Sequence, residues 1–133
     1  MASRDVVFPE GRQDIYNQFG YSPAIRSGGF LFVSGQVGSR EDGSPEPDLA
    51  TQAELAFENL DAVLRAGGCT FEDIVDFTVY TTDPENIVPH FMSAREKWWG
   101  EPPYPTLTGV GVTWLSGFSL ELKVIAKLPE GAQ

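Results

Sequence analysis

An α+β fold is predicted for these 133 residues, with one mixed sheet carrying two helices on a single face. Three observations carry that prediction. Two stretches place apolar residues at helical spacing, and each lies between strand-like stretches. The run Phe30-Leu31-Phe32-Val33 is apolar throughout, as a strand buried on both faces is. The segment from Leu120 alternates, with Leu120, Leu122, Val124 and Ala126 facing one way and Glu121, Lys123, Ile125 and Lys127 the other. Two strand–helix–strand crossovers then build one sheet, and the face left without helices stays apolar. Such a face is expected to be closed by self-association.

The elements follow in order. Met1 to Gly20 mixes short apolar pieces with turn residues, predicting an edge strand at Val6-Val7-Phe8 and then a loop. Tyr21–Ile25 is a second short strand, closed by Ser27-Gly28-Gly29. The Phe30 strand extends to Val37 through the polar break Ser34-Gly35-Gln36. Gly38 to Asp48, with Gly43, Pro45 and Pro47 among charges, is an exposed loop. Leu49, Ala53, Ala56, Phe57, Leu60, Val63 and Leu64 then draw one helical stripe. Asp48 is its candidate cap, Thr51 with Glu54 an alternative, and Gly67-Gly68 its end. The other face, with Gln52, Glu54, Glu58, Asp61 and Arg65, is expected to be solvated.

Ile74–Thr82 is a strand with Val75, Phe77 and Val79 on one side, stopped by Asp83-Pro84. A second helix runs from near Asn86 to Trp99 on Ile87, Phe91, Ala94 and Trp98. Pro89 requires a place in its first turn. After the proline-rich Gly100–Pro105 connection come strands at Thr106–Trp114 and Ser119–Leu128, which a Ser116-Gly117 turn is expected to join as a hairpin.

Composition narrows the function. A length of 133 residues suits one domain, residues 1–133, and 41% hydrophobic content excludes disorder. The formal net charge of -10 repels phosphate backbones and anionic membrane surfaces, so neither nucleic acid nor membrane is an expected partner. A lone cysteine, Cys69, cannot close an internal disulfide. No apolar run approaches the roughly 18 residues of a membrane helix, and the N-terminus lacks a signal pattern. A cytoplasmic location is expected.

Standard constellations are missing. The single histidine, His90, cannot build a His-based zinc cluster, so no metal is expected. It reads as a surface residue rather than a triad member. Cys69 reads as a small buried residue. Gly109-Val110-Gly111 lacks the rest of a dinucleotide fingerprint, and no cofactor is implied. Trp98-Trp99 reads as a helix end packed on the sheet.

Five motifs in register nonetheless resemble a known family. They are Tyr21-Ser22-Pro23-Ala24, Phe32-Val33-Ser34-Gly35-Gln36, the helix with Gln52 and Asn59-Leu60, Gly67-Gly68-Cys69-Thr70 with Asp73-Ile74-Val75, and Leu120 to Ala126. Together they resemble the Rid (reactive intermediate deaminase), or YjgF-like, family. Val37 to Gly43, Pro103-Tyr104-Pro105 and Val110 to Leu115 look most like its YjgH-like branch. The resemblance implies a chorismate-mutase-like fold and a homotrimer whose sheets close into a barrel core. It also implies a small-molecule ligand in clefts between subunits. Family members hydrolyse enamines and imines to a keto acid and ammonia. By the same resemblance Glu121 is the catalytic residue that positions water, and Tyr21, Ser34, Gly35, Leu107 and Thr108 bind substrate. Read alone, Glu121 is an exposed strand residue between two buried ones.

One departure bears on specificity. Deaminating members carry an arginine where Leu107 stands here, and leucine offers no fork for a substrate carboxylate. The asparagine often found on the second helix is not evident near Phe91–Ser93. Arg26, Arg40 and Arg95 are the candidates to replace the missing cation. The expected function is a deaminase-like hydrolase of a small imine or enamine other than a typical 2-imino acid. The alternatives are a non-catalytic metabolite-binding trimer and, disfavoured by charge, an endoribonuclease.

Overall fold

Residues 4–130 are described by the structure, a computed structural model. The outermost residues of the expected 1–133 domain, and Met1 at the start of the expected N-terminal stretch, lie outside the described residues. The chain runs β1 (Asp5–Val7), α1 (Gln13–Phe19), β2 (Ala24–Ser27), β3 (Phe30–Val33), β4 (Gln36–Val37), α2 (Leu49–Ala66), β5 (Ile74–Thr81), α3 (Pro84–Trp98), β6 (Thr106–Gly111) and β7 (Leu120–Lys127). The sheet order is β1-β2-β3-β7-β5-β6, and β4 also pairs with β7. Only β5 and β6 are parallel, so the sheet is mixed as expected.

Helices α2 and α3 pack together against one face. Leu120, Leu122, Val124 and Ala126 of β7 are buried there with Phe57, Leu60 and Leu64 of α2. Phe57 is fully buried and stacks on Phe71, Phe91 and Trp98 at centroid distances of 5.9, 5.7 and 6.5 Å. Each such pair adds roughly 0.5–1.5 kcal/mol beyond its buried area. Trp98 also donates its indole N–H to Glu54, and Trp99 is buried on Phe77, the setting expected for the tryptophan pair. Cys69 is buried too.

The caps are those the sequence indicates. The Asp48 carboxylate accepts from the Thr51 N–H at 3.0 Å, and Gly68, at φ 87°, takes the left-handed position after α2. Gly67 is needed for a different reason, since a Cβ there would stand 2.6 Å from Leu31 Cδ2.

Several expectations require correction. The N-terminal loop contains helix α1, with Tyr16 buried and Gly20 as a left-handed cap. No β6–β7 hairpin forms, because β7 inserts between β3 and β5 while β6 pairs with β5 at the edge. The Ser116-Gly117 turn exists, with both residues at positive φ, but it belongs to a loop that carries the chain back across β5. A register shift between Ile74 and Asp76 turns Val75 away from the side of Phe77 and Val79. Gln52 is buried rather than solvated. Its amide donates to Glu46 O, and its carbonyl accepts from the Ser119 N–H, which ties α2 to the start of β7. Of the Gly38–Asp48 loop, Arg40, Glu41, Asp42, Pro47 and Asp48 are exposed, but Gly43 to Glu46 are half-buried and Gly38 and Ser39 are buried. Helix α3 begins at Pro84, so Pro89 sits in its second turn. Exposed Glu85, whose carbonyl loses its partner, faces water.

Among the described residues, no helix lies over the other sheet face. Phe32 and Val75 are each 44% exposed, and all six residues of β6 are exposed. Ile25, Phe32 and Ile125 align in one cross-strand row on that face.

Candidate functional site

The β3 strand breaks at Ser34-Gly35, and the break is held by hydrogen bonds. The Ser34 hydroxyl donates to Ser22 O at 2.6 Å, and its N–H donates to Pro23 O at 2.8 Å. Buried Gln36 donates from Nε2 to Ser34 O and to the Tyr16 hydroxyl. The Tyr16 ring in turn meets the Tyr21 ring edge-on at 4.9 Å. Ser34 therefore fixes the segment that carries Tyr21 beside the strand break. Its own hydroxyl is spent on that task.

A cavity of about 440 Å³ lies here. Tyr21, Gly35 and Glu121, distant in sequence, all line it. Ile15, Phe19, Leu115 and Phe118 give it apolar walls from α1 and the β6–β7 loop. Glu121 projects from β7 on the face opposite the helices, in one row with Val37 of β4 and Tyr80 of β5. Gly35 must be glycine for Glu121 to stand where it does, because a Cβ would lie 2.5 Å from Glu121 Cδ and Oε2. Gly35→Ala would push the carboxylate aside rather than the backbone. Any activity that depends on the carboxylate is expected to fall about 100-fold with nearly unchanged Tm, since small misplacements of a reacting group cost that much.

Burial raises the Glu121 pKa above the ordinary carboxylate value, and Lys123 pulls it partly back. Lys123 is itself held by Val33 O at 2.9 Å. Burial likewise raises the Tyr21 phenol, with Tyr16 and Glu121 adding to the shift. Tyr21 thus remains a hydrogen-bond donor at neutral pH, beside a carboxylate that takes up a proton more readily than usual. That pairing suits delivery of water to a polarised double bond.

Leu107 and Thr108 lie elsewhere in the chain, on edge strand β6. Register places Thr108 beside Thr78 on the uncovered face, and Leu107 beside Phe77 on the helix side. Neither lines this cavity, and nor does Ser34. None of the three candidate replacement arginines lines it either. Arg26 pairs with Asp5, Arg40 bonds Ser44, and Arg95 lies over Trp99. The cation that does line the cavity is Arg12, which the sequence reading did not single out. Among the described residues no group of three or more His, Cys, Asp or Glu side chains is arranged to hold a metal.

An α+β protein with one helix-covered sheet face and a half-dry carboxylate at a strand break defines a class. The chain belongs to the family described as Endoribonuclease L-PSP, whose profile matches residues 12–128. This is the Rid/YjgF-like family that its motifs resemble. It is 58% identical over 130 residues to RutC family protein YjgH of Escherichia coli K12, covering 98% of this chain and 99% of that one. A solved structure described as protein YJGH superposes with a TM-score of 0.91 at 57% identity, over 97% and 99% of the two chains. RidA from an Antarctic Psychrobacter superposes at 0.75 with 30% identity, over 81% and 88%.

Proposed function

We propose that this single Rid-like domain is a deaminase-like hydrolase of a small imine or enamine other than a typical 2-imino acid. The convergence of Glu121, Gly35 and Tyr21 on one cavity supports this reading most strongly. In the proposed step Glu121 accepts a proton from water as its oxygen adds to the C=N carbon. Tyr21 donates a hydrogen bond toward the developing charge. Glu121 passes the proton taken from water to the nitrogen, then takes the proton of the adduct's hydroxyl and returns it to the nitrogen as the C–N bond breaks. Ammonia leaves, a carbonyl remains and one water is consumed per C=N bond broken. Leu107 provides no fork for a carboxylate on the imine carbon.

The working form is proposed to be a homotrimer in the cytoplasm. The uncovered apolar face, with Phe32 and Val75 at 44% exposure, supports self-association, and so does the fully exposed edge strand β6. Closing the three sheets into a shared barrel core would bring β6 of one copy beside the cavity of the next, carrying Leu107 and Thr108 to its rim. Gly35 borders the other side, on the strand break that Ser34 holds. The charge of -10 weighs against RNA as substrate. Among the described residues no helix is long and apolar enough to cross a membrane.

The test is ammonia release from freshly generated 2-iminopropionate and from a panel of neutral imines, corrected for spontaneous hydrolysis. The neutral imines are expected to turn over faster. Leu107 favours one other reading, a trimer that holds a metabolite without turnover. Binding across the panel with no ammonia released would select that reading.

A further inference from the structure

Arg12 stands on the cavity wall with its charge unanswered. Its Nη1 donates to Ser39 Oγ at 3.2 Å and its Nη2 to Asn59 Oδ1 at 3.4 Å, and both acceptors are neutral. Those acceptors are themselves fixed. The Asn59 amide donates to Val37 O at 2.8 Å and Ser39 O at 3.3 Å, and Ser39 is only 8% exposed. Among the described residues the ion pairs are Arg26–Asp5, Arg65–Asp61 and Lys97–Glu54, so none involves Arg12. Glu10 and Glu41 border the adjoining hollow that Arg12 also lines, without pairing with it. A guanidinium held by long bonds to neutral oxygens can exchange one of them for a charge-assisted bond to an anion.

We propose that Arg12 is the specificity-determining cation of this cavity, binding a carboxylate carried on the ligand away from its reacting carbon. The proposal rests on the same cavity being the substrate site, but not on the chemistry assigned to Glu121. The apolar walls from Ile15, Phe19, Leu115 and Phe118 match a short hydrocarbon body between the two ends. One guanidinium among apolar groups suits a monoanion better than a phosphate dianion. The ligand class is therefore a small aliphatic acid whose reactive end meets Glu121 and Tyr21 while its carboxylate meets Arg12.

Binding, not turnover, tests this. Isocaproate and its neutral isostere isocaproamide are titrated calorimetrically against wild type, Arg12→Gln and Arg12→Lys. Wild type is expected to prefer the acid about ten- to a hundredfold, the range for a charged hydrogen bond. Arg12→Gln, which keeps a donor for Ser39, should erase the preference, and Arg12→Lys should keep part of it. Should Arg12→Gln fail to fold, salt provides the second readout. The wild-type preference must shrink as ionic strength rises. Equal affinity for acid and amide, no acid binding at millimolar concentration, a preference that survives Arg12→Gln, or one indifferent to salt overturns the proposal. A protein that shows the preference yet releases no ammonia from any imine removes the hydrolase reading and leaves Arg12 in its role.

Discussion

Glu121→Gln is expected to lower kcat for imine hydrolysis by about 10²–10⁴-fold, the usual contribution of a positioned general base. Glutamine preserves the shape and can still hold a water, but it cannot take the proton as oxygen adds to carbon. Loss of activity should come without loss of fold. The raised pKa means that the folded chain disfavours ionised Glu121 relative to the unfolded chain. Its native state is therefore most favoured below the unfolded pKa, and stability falls as pH rises toward the folded pKa. Above that, removing the charge removes a cost. The variant should melt at or above the wild-type temperature. A collapse of both Tm and activity would instead make Glu121 a structural residue.

The second large effect concerns assembly. Phe32→Asp should convert the proposed trimer to a monomer in equilibrium sedimentation, while circular dichroism stays native. In the isolated chain Phe32 is 44% exposed, so aspartate there stays hydrated and costs the protomer little. In a closed core every copy would bury an unpaired carboxylate, and each costs several kcal/mol. Activity should fall with assembly, because β6 of the neighbour no longer borders the cavity. An unchanged mass would show that the apolar face serves something other than self-association.

The fold was legible where patterns are long. Helix α2, its Asp48 cap and the alternation of β7 could be read from spacing alone, because burial against a single core imposes those periods. Helix α1 escaped because Ile15, Tyr16 and Phe19 make a stripe of barely two turns, too short to separate from a loop. The turn at Ser116-Gly117 is real, yet turn chemistry is local. Strand order is decided by where β7 can bury both neighbours, which no local signal reports. Gln52 looked solvated because helical spacing marks polarity, not whether a loop folds over it. Tyr21, Gly35, Ser34 and Glu121 were singled out through family motifs; the first two and Glu121 line one cavity, whereas Ser34 does not. Arg12 was missed because its place is set by tertiary contacts with Ser39 and Asn59, 27 and 47 residues away.

The most direct measurement is the pH profile of kcat/KM for a neutral imine, wild type against Glu121→Gln. Water delivery by the Glu121 carboxylate requires its ionised form, so activity must fall on the acid side, through an apparent pKa above the ordinary glutamate value. That limb must vanish in Glu121→Gln. A wild-type profile flat through the acid range, or the same limb in both proteins, would contradict the role given to Glu121.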